Sequence, residues 1–476
     1  MRDTTRRRQL TFGDAELRSQ TELSGALKAI ADLLDTMPEL VERVHRDLVA
    51  GLLRPRVGRH GLGPVQVLRA FILQRLENLD LRALADRIAD GMSWRVFTGF
   101  DAQPVPRHDA FNRAFTRLTP QTVRQINEIV LRKAHELGLE QGEKLRVDTT
   151  VVETNIRFPT DAGLLWDCVR VITREVRQIV RDVPKARPLF HDHTTSAKRR
   201  YQQIARMTRQ ERQHQQRPKY EDLIRITHNV VSAASRVVTK ARAKAKTLAP
   251  AQHDRVVRIQ VGIEHIEHFC ALAERVLSQT RRRILEGEQV PAQDKLFSIF
   301  EPHTDIIVRG KTNKPVEFGH KVFLAESGSG LITEYGVLAG NPVDETHVGH
   351  SLDAHRRLFA RAPHTYASDR GFYSVDNVAA CRQAGVTIEC IPQRGGTKTP
   401  ERAAYEKSTT FKKGQRFRAG IEGRISVLMR GRGMRRCLSV GLPRFEVFVG
   451  LAVLANNLLA LTRLLSAARR RPKRAA

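Results

Sequence analysis

The 476 residues include five cysteines, Cys168, Cys270, Cys381, Cys390 and Cys437, and no two of them stand at C-x-x-C spacing. That scatter excludes a disulfide framework or a cysteine zinc site as the organising device. No apolar segment reaches the roughly 18 to 20 uncharged residues that cross a bilayer. The nearest approach, residues 445–465, carries Glu446, Asn456, Asn457 and Arg463 and reads as a buried helix. Behind Met1-Arg2-Asp3-Thr4-Thr5-Arg6-Arg7-Arg8 no apolar run follows, so a secretory signal is not expected and a cytoplasmic chain is. No repeat recurs at a period of roughly 20 to 50 residues. Acidic residues are scarce: 51 Asp and Glu stand against 81 Lys and Arg, a net charge of +30. A polyanion is the natural partner of such a chain, and without a membrane-spanning run nucleic acid is preferred to a membrane.

A chain of this length exceeds what one core usually holds, and a hydrophobic fraction of 41% can fill several. Residues 1–60 read as a helical N-terminal arm, with Leu23, Leu27, Ile30, Leu33 and Leu34 at helical spacing. Gly61-Leu62-Gly63-Pro64 ends that pattern. Residues 61–143 read as a helical DNA-binding domain of helix-turn-helix type, in which Arg107, Arg113 and Arg117 surround a short amphipathic helix. Arg113 and Arg117 are its candidate DNA contacts; the plainer alternative is a bundle with a solvated basic face. Residues 163–297 have almost no glycine and are crowded with Arg, Lys and Gln, which predicts a helical insertion too long to be a loop. His191-Asp192-His193 and His265-Ile266-Glu267-His268 lie there, but neither comes with a matching third metal ligand. Residues 144–162 and 298–465 form the remaining α/β domain, and residues 466–476 are expected to be a disordered basic tail.

That α/β domain is organised around residues 144–154. Leu145, Val147, Thr149 and Val151 alternate with Arg146, Asp148, Thr150 and Val152, so period two lays Asp148 on one face of a strand. Residues 317–326 and 331–340 flank Ser327-Gly328-Ser329-Gly330 and read as an antiparallel hairpin. A helix over 345–361 follows, then a short strand over 364–369 that ends on Asp369. Ser374 caps a helix over 375–383, which Gly385 closes, and a strand over 386–392 comes next. A loop rich in glycine and lysine, 394–414, leads to a helix over 417–429. There Glu422 borders the stripe Ile421, Ile425, Leu428, with Arg418 one turn earlier.

Three acids thus fall on strand, strand end and helix, and in α/β layers ligands bind at the carboxyl ends of strands. Cutting or joining a phosphodiester calls for hard cations that stabilise both the attacking and the leaving oxygen, and carboxylates hold such ions. Each acid alone has an ordinary reading: an edge-strand aspartate, a turn-starting aspartate, and an i,i+4 surface pair with Arg418. The signal is their order in so basic a chain.

Val147-Asp148-Thr149-Thr150-Val151-Val152-Glu153, Ser368-Asp369-Arg370-Gly371-Phe372-Tyr373 and Arg418-x3-Glu422 resemble the three signature regions of bacterial insertion-sequence transposases of the DDE type. Residues 68–101 resemble the helical domain that these enzymes carry before the catalytic core. The resemblance implies a ribonuclease H-like mixed sheet flanked by helices, here interrupted by the large helical insertion and preceded by an all-α N-terminal domain. It implies Asp148, Asp369 and Glu422 as catalytic residues and as ligands of two Mg²⁺ ions, with Mn²⁺ as a substitute, and Arg418, Arg430 and Arg370 as DNA contacts beside them. It further implies endonuclease cleavage at inverted-repeat ends, strand transfer into target DNA, a homodimer on double-stranded DNA, and a nucleoid-associated place in the bacterial cytoplasm. Two positions depart from the family pattern: Gln415 stands where a Tyr is usual and Met429 where a Lys is usual, with Phe417 and Arg430 close by. The alternatives are a metal-dependent nuclease without strand transfer and a non-catalytic helix-turn-helix-type DNA-binding regulator.

Overall fold

The computed structural model describes residues 22–470 apart from 56, 58, 59 and 309–314, so the start of the N-terminal arm and the last residues of the expected basic tail, 471–476, lie outside the described residues. Two compact units divide the chain: residues 1–154 with 319–476, and residues 155–318.

The first unit begins with seven helices: α1 (Glu22–Asp35), α2 (Pro38–Val49), α3 (Pro64–Leu76), α4 (Leu81–Asp90), α5 (Met92–Thr98), α6 (His108–Phe115) and α7 (Pro120–Glu136). Their starts follow local chemistry. Pro38, Pro64 and Pro120 occupy first turns, where the missing N–H costs nothing. The Asp80 carboxylate accepts from the Arg82 and Ala83 N–H groups and caps α4. Strand β1 (Lys144–Thr154) comes next. The second unit holds α8 (Asp161–Asp182), α9 (Thr194–Arg206), α10 (Arg209–Ala245), α11 (His253–Thr280) and β2 (Asp305–Val308). The remaining elements are β3 (Val316–Ser327), β4 (Ile332–Val337), α12 (Val348–Phe359), β5 (Thr365–Ala367), α13 (Val375–Gln383), β6 (Ile388–Cys390), α14 (Pro400–Lys407), α15 (Thr409–Gly431), β7 (Arg436–Cys437) and α16 (Leu442–Arg470).

The strands of the first unit make a mixed sheet in the order β3-β1-β5-β6, with β4 on β3 and β7 on β1. β1 runs antiparallel to β3 and parallel to β5, which runs parallel to β6. Period two divides the two central strands cleanly. Val152, Val322 and Leu324 pack with Leu428, Phe445 and Val449 on one face, whereas Leu145, Val147, Phe323 and Ala325 pack with Val348, Leu352 and Cys381 on the other. From Thr149 onward every residue of β1 is buried, as expected of a strand with helices on both faces.

α16 is the one described helix long and apolar enough to cross a membrane, and 83% of its most apolar window is buried inside the protein. Leu451, Leu454, Leu458 and Leu461 share a single core with Leu40, Phe71, Phe111 and Ile126 of the N-terminal helices. The asparagines that made this segment look interrupted are at work there. Asn457 accepts from the Ile332 N–H at 2.9 Å and donates to the Ile332 carbonyl at 2.8 Å, so one side chain completes the free edge of β4.

Sequence reading leaves 394–414 as a loop, whereas α14 and the first turn of α15 occupy much of it. Two caps account for the difference: the Thr399 hydroxyl accepts from the Arg402 N–H with Pro400 at the first turn, and the Ser408 hydroxyl accepts from the Phe411 N–H. In the second unit α8, α10 and α11 form a bundle around Leu165, Val169, Ile172, Leu223, Val230 and Ile266.

Candidate active site

The site is built on the register of β1 and β5. Leu145 pairs with Tyr366 and Arg146 with Ala367 in parallel, so two residues further along Asp148 lies level with Asp369. On its other side Asp148 is paired with Leu324. Asp369 opens a short helical turn and its Oδ1 accepts from the Gly371 N–H at 2.8 Å. Asp148 Oδ1 accepts from the Thr149 N–H at 2.7 Å. Among the described residues neither Oδ2 has a hydrogen-bond partner.

A third acid stands with them that sequence reasoning did not single out. Asp344 Oδ1 accepts from the Thr149 hydroxyl at 2.9 Å and meets Lys321 Nζ at 2.8 Å, which ties it to β1 and β3. A methyl group built on Gly371 would sit 3.0 Å from Asp369 Oδ1 and 3.1 Å from Asp344 Oδ2, so both carboxylates border the same glycine. Nothing local in Asn341-Pro342-Val343-Asp344 marks this acid; its partners are distant in sequence. Burial pushes the Asp148 carboxyl up to about 6, the charges of Asp369 and Asp344 add to the rise, and the Thr149 N–H and the Arg418 guanidinium work against it.

Helix α15 brings Arg418 and Glu422. Its close docking depends on small residues and a buried ion network. A methyl group at Gly414 would fall 2.1 Å from Cys390 Sγ, and one at Gly420 2.1 Å from Arg146 Nη1. Arg146 Nη1 donates to the Phe417 carbonyl at 2.6 Å, while Glu326, fully buried, accepts from Arg146 Nε at 2.8 Å and from Arg424 Nε at 2.8 Å. Gln415 donates to the Cys390 carbonyl at 2.6 Å and the Ser368 carbonyl at 3.2 Å, joining the ends of β5 and β6.

Asp148 and Asp369 therefore come together, and Glu422 stands apart from them. Its side chain is 66% exposed and pairs with Arg418 Nη1 at 2.5 Å. Arg418 faces Asp148 electrostatically, and its buried Nε has no hydrogen-bond partner. Among the described residues no three His, Cys, Asp or Glu side chains are grouped to hold a metal ion.

The expected DNA contacts fall into different situations. Arg370 is exposed beside Asp369, and Arg430 is exposed at the end of α15. Arg113 is exposed on α6 and pairs with Asp109 at 2.7 Å. Arg117 donates to the Leu48 carbonyl at 3.0 Å and the Ala50 carbonyl at 2.8 Å, so its guanidinium caps the end of α2.

A family model described as a transposase domain (DUF772) matches residues 19–117, the stretch that holds α1 to α6. No curated protein and no solved structure matches the chain. The match covers the helical N-terminal region alone and makes that region similar to transposase domains.

Proposed function

We propose that this chain is a DNA transposase of the DDE type, which cleaves double-stranded DNA at the inverted-repeat ends of an element and transfers the strands into target DNA. The observation that carries the reading is the parallel register that sets Asp148 beside Asp369. The strand order β4-β3-β1-β5-β6, with only β3 antiparallel to its neighbours at the centre, supports a ribonuclease H-like core. The transposase-domain match supports DNA as the substrate.

The donor set suits a hard divalent cation, Mg²⁺ or Mn²⁺. Two carboxylates each keep one oxygen without a hydrogen bond, and the Asp148 carboxyl, raised mainly by burial, also feels the charges of Asp369 and Asp344. Asp148 and Asp369 would hold such ions, and Glu422 would complete the set by leaving Arg418. The chemistry those ions supply is stabilisation of the charge on the attacking and leaving oxygens at phosphorus. For the chain's own residues, Asp148 and Asp369 bind and orient, Arg418 released from Glu422 is free to take a phosphate, and Arg370 and Arg430 guide the backbone. Two ends must be joined, so two copies act on one DNA complex.

The test is Mg²⁺-dependent nicking of a duplex carrying the element's ends. Asp148→Ala and Asp369→Ala should each abolish nicking while duplex binding at low salt persists, since phosphate contacts come from Arg and Lys. Loss of binding in either variant would overturn this division of roles. A second reading, the non-catalytic DNA-binding regulator, is favoured by the Arg418–Glu422 pairing; the wild-type chain would then bind DNA yet never nick it with either ion.

A further inference from the structure

We infer that the start of α10 together with α9 is a docking surface for the phosphate backbone of duplex DNA, separate from the acidic site. From Arg209 to Lys219, the first three turns of α10, no residue is buried; Tyr220 is the first that is. A helix segment that buries no face gains nothing from packing, and it persists here on its cap and on continuity with the packed remainder. The cap is a complete box: the Thr208 hydroxyl accepts from the Glu211 N–H at 3.3 Å, and the Glu211 carboxylate accepts from the Thr208 N–H at 2.8 Å. That uses the single acid of the segment.

The exposed side chains are otherwise Arg, Gln, His and Pro218, with Gln216 and Lys219 half-buried. Arg209, Arg212 and Lys219 fall within about 80° of one another around the axis, along roughly 15 Å of helix. Arg209 and Arg212 are exposed and Lys219 is half-buried, and Lys198, Arg199 and Arg206 of α9 are exposed as well. Among the described residues none of these six has an ion-pair partner, whereas Arg200 pairs with Asp222, and Arg217 with Glu221 at 3.0 Å. Chemistry narrows the occupant. A protein partner would need an apolar centre to its interface, and the only apolar side chain the segment exposes is Pro218. Single-stranded nucleic acid would need aromatic platforms, but Tyr220 is buried and Tyr201 half-buried. Unpaired Arg and Lys with Gln between them match the side chains that contact duplex phosphates, which present one charge per about 1.7 Å of axis.

The experiment measures binding of the full chain to a random-sequence DNA duplex by fluorescence anisotropy across a salt series. Each lost phosphate contact should lower the slope of log K against log salt by about 0.9, so R209Q/R212Q/K219Q should lower it by roughly 2.7. The control K240Q/K244Q, two exposed charges further along α10, should change it far less. Circular dichroism verifies that both variants stay folded. An unchanged slope in the folded triple variant, an equal loss per charge in the control, or tighter binding of duplex RNA than of DNA would each overturn the inference. Failure here leaves the transposase reading standing if nicking persists, and absence of nicking leaves this surface standing if the slope falls.

Discussion

Arg146 and Arg212 are the same residue type in opposite circumstances. Arg146 lies in the sheet unit, 14% exposed, with its guanidinium shared between the buried Glu326 and the Phe417 carbonyl. Arg212 stands on the first turns of α10 with no ion-pair partner. The contrast extends beyond the two: Arg424, Arg402, Arg436 and Arg117 of the first unit are likewise taken up by carboxylates or helix-end carbonyls. Net charge alone therefore does not locate a nucleic-acid surface. What locates it is the arginine that has nothing else to do.

That contrast predicts opposite outcomes for similar substitutions. The largest effect belongs to Arg146→Ala, which leaves Glu326 buried with one partner fewer and should cost about 3–5 kcal/mol in denaturant unfolding; a cost below about 1 kcal/mol would mean that Arg424 alone suffices. Gly414→Ala comes next, because the added methyl group meets Cys390, and overpacking of this kind costs about 1–3 kcal/mol. Asp148→Asn should act the other way. Its folded pKa of about 6 lies above the ordinary carboxyl value of about 3.9, so the folded chain holds this proton more tightly than the unfolded one. The charged form therefore weakens the fold above pH 6, and the penalty fades as pH falls toward 4. In chelator, Asp148→Asn should stabilise by on the order of 1–2 kcal/mol near neutral pH and by nothing at pH 4; equal gains at both would refute the assignment. Arg117→Ala should cost about 1 kcal/mol through loss of the α2 cap. Smallest of all, Arg212→Gln should leave stability within about 0.5 kcal/mol while weakening DNA binding.

How much of this was legible in the sequence varies with the range of the interaction. Strand β1, the hairpin of β3 and β4, and helix α13 with its Ser374 cap and Gly385 closure stand where alternation and turn chemistry put them, because those signals act over a few residues. Helix α14 had its cap and its proline in plain view, but a glycine- and lysine-rich composition outweighed them. Glu422 shows the limit of helical periodicity: a residue bordering the Ile421–Leu428 stripe can turn toward the sheet or toward solvent, and here Arg418 takes it outward. Asp344 was out of reach altogether, since its place depends on Thr149 and Lys321 from two other strands.

The sharing of one core by α16 and the N-terminal helices has a consequence for synthesis. The wall against which Leu40, Phe71 and Phe111 pack lies in α16, which is made only after residues 127–441. The helices that match the transposase domain keep part of their apolar faces unsatisfied until α16 has been made. A chain interrupted anywhere ahead of α16 should therefore yield no stably folded N-terminal fragment, which limited proteolysis of the truncated product would show.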